Sequence, residues 1–197
     1  VKPQDLGDVL AELSKSLKGE TLLISIAAGK TTRFIEEKLS TNNPVVRVMP
    51  NTPAQIGKGV SAISGGSNAQ PAHLELTKKL FSASGVVVEL PEENQDAVTA
   101  LSGSGPAYFF YFIESMIKSG VQLGLTNEIA TQLAIGTITG SAAMLQESGL
   151  DAATLRKTVT SPNGTTAAAL SVFADKDLEK IISDAMMAAK KRAQELA

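Results

Sequence analysis

The spacing of apolar residues changes along the chain, and the change divides it. Val9, Leu10, Leu13 and Leu17 recur at helical intervals. Thr21-Leu22-Leu23-Ile24-Ser25-Ile26-Ala27 is then an almost unbroken apolar run of strand length, as in a strand covered on both faces. Ala28-Gly29 turns the chain into a helix predicted from Thr31 to Leu39, with Phe34, Ile35 and Leu39 inward. Further strands are predicted at 44–49, 59–64 and 85–90, with a helix at 72–82. The first helix should stop at Lys18-Gly19-Glu20. Alternation of this kind predicts an α/β domain over residues 1–90, with a mostly parallel sheet and helices on both faces.

After Pro91-Glu92-Glu93 no strand pattern recurs, and residues 91–197 read as all-helical. Helices are predicted at 92–102, 106–119, 126–147, 152–159, 166–174 and 178–196. Thr126, Asp151 and Asp177 are suitable N-caps, and Gly120, Gly124 and Gly149 suitable stops. Glu92 with Glu93, and Asp175 with Asp177, lie at helix starts, where capping explains them better than acid–base chemistry. The stretch Ala107 to Ile117 is apolar around most of its circumference, which predicts burial on every side. Gly136 and Gly140 would let another backbone come close. A region this apolar is expected to complete its core with a second copy of the chain; a self-contained bundle is the alternative.

Charge and composition narrow the chemistry. Lys and Arg number 18 and Asp and Glu 20, for a net charge of -2. The one dense basic group, Lys190-Lys191-Arg192, suits the end of a helix, so no nucleic-acid partner is expected. Cysteine is absent, which excludes thiol chemistry and disulfides and fits a cytoplasmic protein. The single His73 has no neighbouring ligand set, so no metal site is expected. No apolar run reaches the length of a membrane span, and no membrane association is expected. Residues 57–62 match the dinucleotide fingerprint by letter but precede a strand, and Gly103-Ser104-Gly105 has no strand before it; both fail on context.

Candidate chemistry gathers at two helix starts and two strand ends. Val159-Thr160-Ser161-Pro162-Asn163-Gly164-Thr165-Thr166 combines a φ-locked proline with Asn163 and Gly164, which accept positive φ, and with Thr165 or Thr166 as a cap. Such a turn leaves backbone N–H groups facing outward, where a helix dipole favours a carboxylate or phosphate. Leu101-Ser102-Gly103-Ser104-Gly105-Pro106 opens another helix, with Pro106 in its first turn. Ala27-Ala28-Gly29 and Met49-Pro50-Asn51-Thr52 put small and polar groups at strand ends, where open α/β sheets bind ligands.

These segments, taken in order with Val1-Lys2-Pro3-Gln4 and Asp96 to Tyr108, resemble the pyrroline-5-carboxylate reductases and cover nearly the whole chain. The resemblance implies the C-terminal part of a Rossmann-type dinucleotide-binding domain followed by a helical domain that makes a homodimer, with higher oligomers in some members. It implies that the family's first strand and phosphate-binding loop precede Val1, and that the chain alone would have little activity. The implied reaction is NADPH- or NADH-dependent reduction of a small cyclic imino acid to L-proline. Thr166 would act on the ring nitrogen. Val159, Ser161, Asn163, Gly164, Thr165, Thr166, Gly103 and Ser104 would bind substrate, and Val1, Lys2, Pro3, Ala27, Ala28, Gly29, Met49, Pro50 and Asn51 would border the cofactor. Family members usually carry a second glycine where this chain has Asn163. Two other readings stand beside this one. A related hydroxyacid-type dehydrogenase would need a catalytic lysine that is absent between Pro91 and Ile117, and a non-catalytic dimerisation or anion-binding module would need no cofactor.

Overall fold

Alternate residues of strand β2 (Val45–Met49) face opposite sides of a four-stranded sheet, and a core forms on each side. On one side Val45 joins Leu6, Leu10, Ala27, Ile35 and Leu39 beneath helices α1 (Leu6–Leu13) and α2 (Thr32–Leu39). On the other, Val46 and Val48 join Ile63, with Leu74 and Phe81 of α3 (Pro71–Ser82) packed against them. These relations come from a computed structural model that describes Val1 and residues 3–196, so the expectation for Lys2 lies outside the described residues.

The strands lie in chain order, with β1 (Leu23–Ser25) parallel to β2 and β3 (Gly59–Gly65) parallel to β4 (Gly85–Glu89). The sheet is therefore parallel-dominated, as the pattern predicts, but β2 and β3 run antiparallel, Val46 opposite Gly65 and Met49 opposite Ala62. The reason is the connection. Only a short 3-10 turn, Thr52–Ile56, lies between these strands, whereas a parallel return needs a crossover of a dozen or more residues. Helix α1 also ends earlier than expected, at Leu13, where the Ser14 and Ser16 hydroxyls donate back to the carbonyls of Ala11 and Leu13.

Residues 92–103 form a 3-10 turn (Glu92–Asn94), helix α4 (Gln95–Val98) and a π-helical turn (Thr99–Gly103), which closes with Ser104 N–H donating to the Thr99 carbonyl at 2.8 Å. Element type changes at Pro91, but the compact units divide later. One comprises residues 1–106 with the chain from Ala185 onward, the other residues 107–184. Gln95 explains why the first helical residues stay with the sheet. Fully buried, its amide donates to Ser64 Oγ at 2.9 Å and to the Ala62 carbonyl at 3.3 Å.

The second unit contains α5 (Gly105–Gln122, from Ala107 on), α6 (Asn127–Glu147), α7 (Ala152–Thr158), α8 (Thr165–Asp175) and the start of α9 (Leu178–Glu195). Gly120 does not stop a helix as expected. It lies inside α5, where an added Cβ would sit 3.1 Å from Ala130 Cβ of α6, so its small size lets the two helices close. Gly124, at φ 100°, makes the turn instead. The Asp151 and Thr126 caps form, whereas Asp177 takes a left-handed φ of 53° and accepts from Ile181 N–H through its carbonyl. The aromatic stretch of α5 is not buried on every side within one chain: Phe109, Phe110 and Tyr111 are 60%, 67% and 71% exposed.

Ile63 is wholly buried between β2 and α3. Replacing it with alanine is expected to lower the stability of the sheet unit by about 2–5 kcal/mol, the usual cost of a core cavity plus lost transfer energy. Urea denaturation followed by circular dichroism measures this.

Candidate functional site

In the first unit, two loops follow neighbouring strands. After β1, Ala27 N–H donates to Ser25 Oγ at 3.3 Å and the chain turns at Gly29, φ 76°. A side chain at Gly29 would be strained in that conformation and would also meet the Leu196 carbonyl oxygen at 2.9 Å. Thr31 then caps α2, its hydroxyl accepting from Phe34 N–H at 3.1 Å. After β2, the Asn51 carboxamide is used on both sides. Its oxygen accepts from Val60 N–H at 2.9 Å and its nitrogen donates to the Ser102 carbonyl at 3.1 Å.

Gly103 lies against the Met49 methyl, which an added Cβ would approach to 2.6 Å. The structure thus gathers Met49, Asn51 and Gly103, with the half-buried Pro50 and Ser104 beside them in the chain. Val1 is largely exposed, and Pro3 begins a single 3-10 turn.

A buried ionic cluster behind these loops escaped the sequence reading. Arg47 on β2 is only 3% exposed; its Nη1 is 3.3 Å from Glu92 Oε1 and its Nη2 3.8 Å from Asp96 Oδ1. Glu92 was expected to cap its own helix. Instead Oε1 accepts from Thr32 N–H at 2.7 Å and Oε2 from the Thr32 hydroxyl at 2.5 Å, so its carboxylate closes the N-terminus of α2. Its sequence neighbours gave no sign of this, because the partners are 60 and 45 residues away. An arginine in the middle of an apolar strand was the available signal.

The other candidate turn belongs to the second unit. It follows α7, whose cap, Asp151, accepts from Thr154 N–H at 2.9 Å and from the Thr154 hydroxyl at 2.8 Å. These bonds hold the Asp151 carboxyl below the usual carboxylate range. The Thr160 hydroxyl donates to the Arg156 carbonyl at 2.6 Å, and Gly164 N–H to the Ser161 carbonyl at 3.0 Å, closing the turn.

Asn163 takes the left-handed φ expected of it, 59°. Gly164 does not: at φ −82°, ψ 175° it is the N-cap of α8, with Thr165 the first helical residue, so neither threonine caps. The first backbone bond of the helix is Ala168 N–H to the Gly164 carbonyl, at 3.1 Å. The N–H groups of Thr165, Thr166 and Ala167 precede it, and no side chain caps them. Ser161, Asn163, Gly164, Thr165 and Thr166 therefore share one turn, with Val159 exposed just ahead of it.

An open α/β sheet with small-residue loops at its strand ends is the plan of ligand- and dinucleotide-binding domains, and here it is continued by an all-helical region with an uncapped helix start. Residues 92–196 match the family pattern described as "Pyrroline-5-carboxylate reductase dimerisation". The whole chain is 44% identical to the pyrroline-5-carboxylate reductase of Pseudomonas aeruginosa, of which it covers 72%, and 40% identical to that of Mycobacterium leprae, of which it covers 74%. It also superposes on the crystal structure of Plasmodium falciparum pyrroline carboxylate reductase with NADP bound, with a TM-score of 0.93 and 34% identity, covering all of this chain and 79% of that one. The chain belongs to the pyrroline-5-carboxylate reductase family, oxidoreductases of proline biosynthesis.

The Asp151 cap leads to a pH prediction for the helix that precedes the turn. Its folded-state pKa is depressed, so the cap's contribution is fully present above the unfolded carboxyl's pKa and is lost as pH falls through the lower, folded value. An Asp151→Ala variant is expected to melt below wild type at pH 7 and to converge with it at the acid end of the range. Thermal melts across pH, with a carboxyl NMR titration of Asp151, check the sign.

Proposed function

We propose that the enzyme to which this chain belongs reduces L-1-pyrroline-5-carboxylate to L-proline with NADPH or NADH (the EC 1.5.1.2 reaction), as a cytoplasmic homodimer. The single observation that carries the substrate half is the run of uncapped amides at Thr165, Thr166 and Ala167, beside the left-handed Asn163. Amides converging at a helix N-terminus suit a small carboxylate. Ser161, whose carbonyl fixes Gly164 N–H, shapes the turn, and Val159 is its apolar neighbour.

For the cofactor, the residues of the first unit suit the nicotinamide half. Ala28, Met49 and Pro50 are small or apolar and half-buried, a wall for a flat ring, and the chain is kept close there by Gly29. Asn51 shapes this wall through Val60 and Ser102 and does not point a free carboxamide at a ligand. Ala27 completes it, Gly103 and Ser104, the candidates for substrate, lie beside Met49 and Asn51, and Val1, Lys2 and Pro3 are assigned to the cofactor side by family resemblance. The bound form of the Plasmodium falciparum relative favours NADPH.

When bound, the reduced dinucleotide supplies a hydride to the carbon of the C=N bond. The rest is orientation. With the ring nitrogen already protonated, the hydride's electron pair forms the new C–H bond, the C=N π pair returns to nitrogen, and a secondary amine results. Thr166, half-buried at the second position of α8, directs its hydroxyl at that nitrogen. A neutral threonine hydroxyl is a weak acid, so it orients the iminium and does not supply its proton outright.

The dimer reading rests on the match of residues 92–196 and on apolar surface in the second unit. A groove of about 470 Å³ there is lined by Phe112, Met116, Leu123, Leu133 and Phe173 among others, and the exposed α5 aromatics extend the apolar area. Surfaces of this kind close against a second copy.

The test is pyrroline-5-carboxylate-dependent oxidation of NADPH by the full-length gene product. Wild type should turn over, and Thr166→Ala should lose about tenfold or more in kcat, the scale of one positioned hydrogen bond in a transition state. Thr166→Ala turnover within about twofold of wild type would remove the hydroxyl from the mechanism.

A further inference from the structure

Glu92 ties together segments that are far apart in the sequence. Its two oxygens accept from Thr32 N–H and the Thr32 hydroxyl, and Oε1 also lies 3.3 Å from Arg47 Nη1. Thr32 follows the Ala27-Ala28-Gly29 loop by three residues, and Arg47 precedes Met49 by two. The same carboxylate therefore anchors both loops assigned above to the cofactor. Its own segment continues through α4 to Ser102 and Gly103, which return to Asn51 and Met49. Residues 92–103 thus straddle the end of β2, fixed to it by ion pair at one end and by carboxamide and van der Waals contact at the other.

We infer that Glu92 is a positioning residue for dinucleotide binding: it clamps the 27–31 and 49–51 loops in the spacing that seats the nicotinamide, without touching the ligand. The inference rests on the assignment of those loops to the cofactor. The carboxylate's geometry makes the clamp specific to its charge and length. Oε1 serves Thr32 N–H and Arg47 together while Oε2 accepts only the Thr32 hydroxyl, so a glutamine can keep every bond by donating its amide to that hydroxyl. What glutamine cannot do is neutralise an arginine that is 3% exposed and whose other carboxylate, Asp96, is 3.8 Å away. Alanine removes both bonds and charge.

The experiment compares wild type, Glu92→Gln and Glu92→Ala as full-length proteins, at a temperature well below the melting point of each. Backbone hydrogen exchange without cofactor should quicken about tenfold or more in the 27–34 and 47–51 segments of Glu92→Ala, with β3–β4 pairing unchanged and Glu92→Gln between. KM for NADPH should rise about tenfold in Glu92→Ala and less in Glu92→Gln, with kcat within about threefold, since binding geometry and not the chemical step is disturbed. Unchanged exchange in the two loops overturns the clamp. Faster exchange with an unchanged KM makes Glu92 a structural residue only and overturns its positioning role. A wild type that binds and oxidises no NADPH defeats the loops' cofactor assignment itself, a result separable from the exchange arm, which reads the clamp directly.

Discussion

A guanidinium placed inside a sheet has to be neutralised where it lies, and Arg47 sets that requirement for half of this molecule. It occupies the same face of β2 as Val45, which packs into an apolar cluster, and it is 3% exposed. Leaving such a charge unpaired would cost several kcal/mol. The carboxylates that meet it, Glu92 and Asp96, come from the first turns of a helical segment that could otherwise have departed with the helices after it. Gln95, between them, adds two hydrogen bonds to β3. One buried charge on a strand thus explains why the sheet unit retains residues beyond the last strand, and why the π-helical turn at 99–103 ends over Met49 and Asn51. The network is not fully satisfied, since Arg47 Nη2 and Gln95 Oε1 are buried without a hydrogen-bond partner, and charge pairing of this kind does more to specify one arrangement than to add stability.

The second unit follows the opposite logic. Its helices carry almost no charge inward, and much of what they carry outward is apolar: Phe109, Phe110, Leu133 and Ile135 are each at least half exposed in the single chain. Close packing inside the unit is local, as where Gly120 admits Ala130, while among the described residues no neighbouring element comes within 4 Å of where a Cβ at Gly136 or Gly140 would sit. A surface of that character is stable in water only when most of it is covered, in keeping with the dimerisation pattern that the region matches.

Much of the architecture was legible in the residues because periodicity reports burial directly. The strands at Val45 and Gly59 and the helices after Thr31, Thr126 and Asp151 fall where apolar spacing and capping chemistry place them. The misreadings have a common cause, which is that the deciding partner is distant in sequence or is a backbone group. Nothing near Glu92 announces that it will serve a helix 60 residues earlier. Gly120 resembles a stop until α6 lies against it. The reversal between β2 and β3 was implicit in a connection too short for a crossover, but the pattern of apolar runs does not encode strand direction. Of the candidate site, the strand-end loops and the 159–166 turn were legible as small-residue punctuation. The division of labour within them was not: Asn51 spends its carboxamide on the protein, and Gly164 rather than a threonine ends the turn.

That last substitution of roles has a chemical consequence. A serine, threonine or aspartate at the N-cap turns its side-chain oxygen back onto the second or third amide of the helix, which stabilises the helix and removes a donor. Glycine at the same place costs only about a few tenths of a kcal/mol relative to those residues and leaves every first-turn amide open. Asp151 and Thr126 show that this chain caps helices in the ordinary way elsewhere, each accepting from the third residue of its helix. At α8 it does otherwise, and Asn163, one of the few residues with a side chain that tolerate φ near 60°, turns the backbone so that Gly164 can enter extended. A threonine released from capping at 165 or 166 keeps its hydroxyl available at the same helix end. The local sequence thus gives up a small, replaceable stabilisation and in return leaves three adjacent amide donors open at one helix start, an arrangement that suits a small anion.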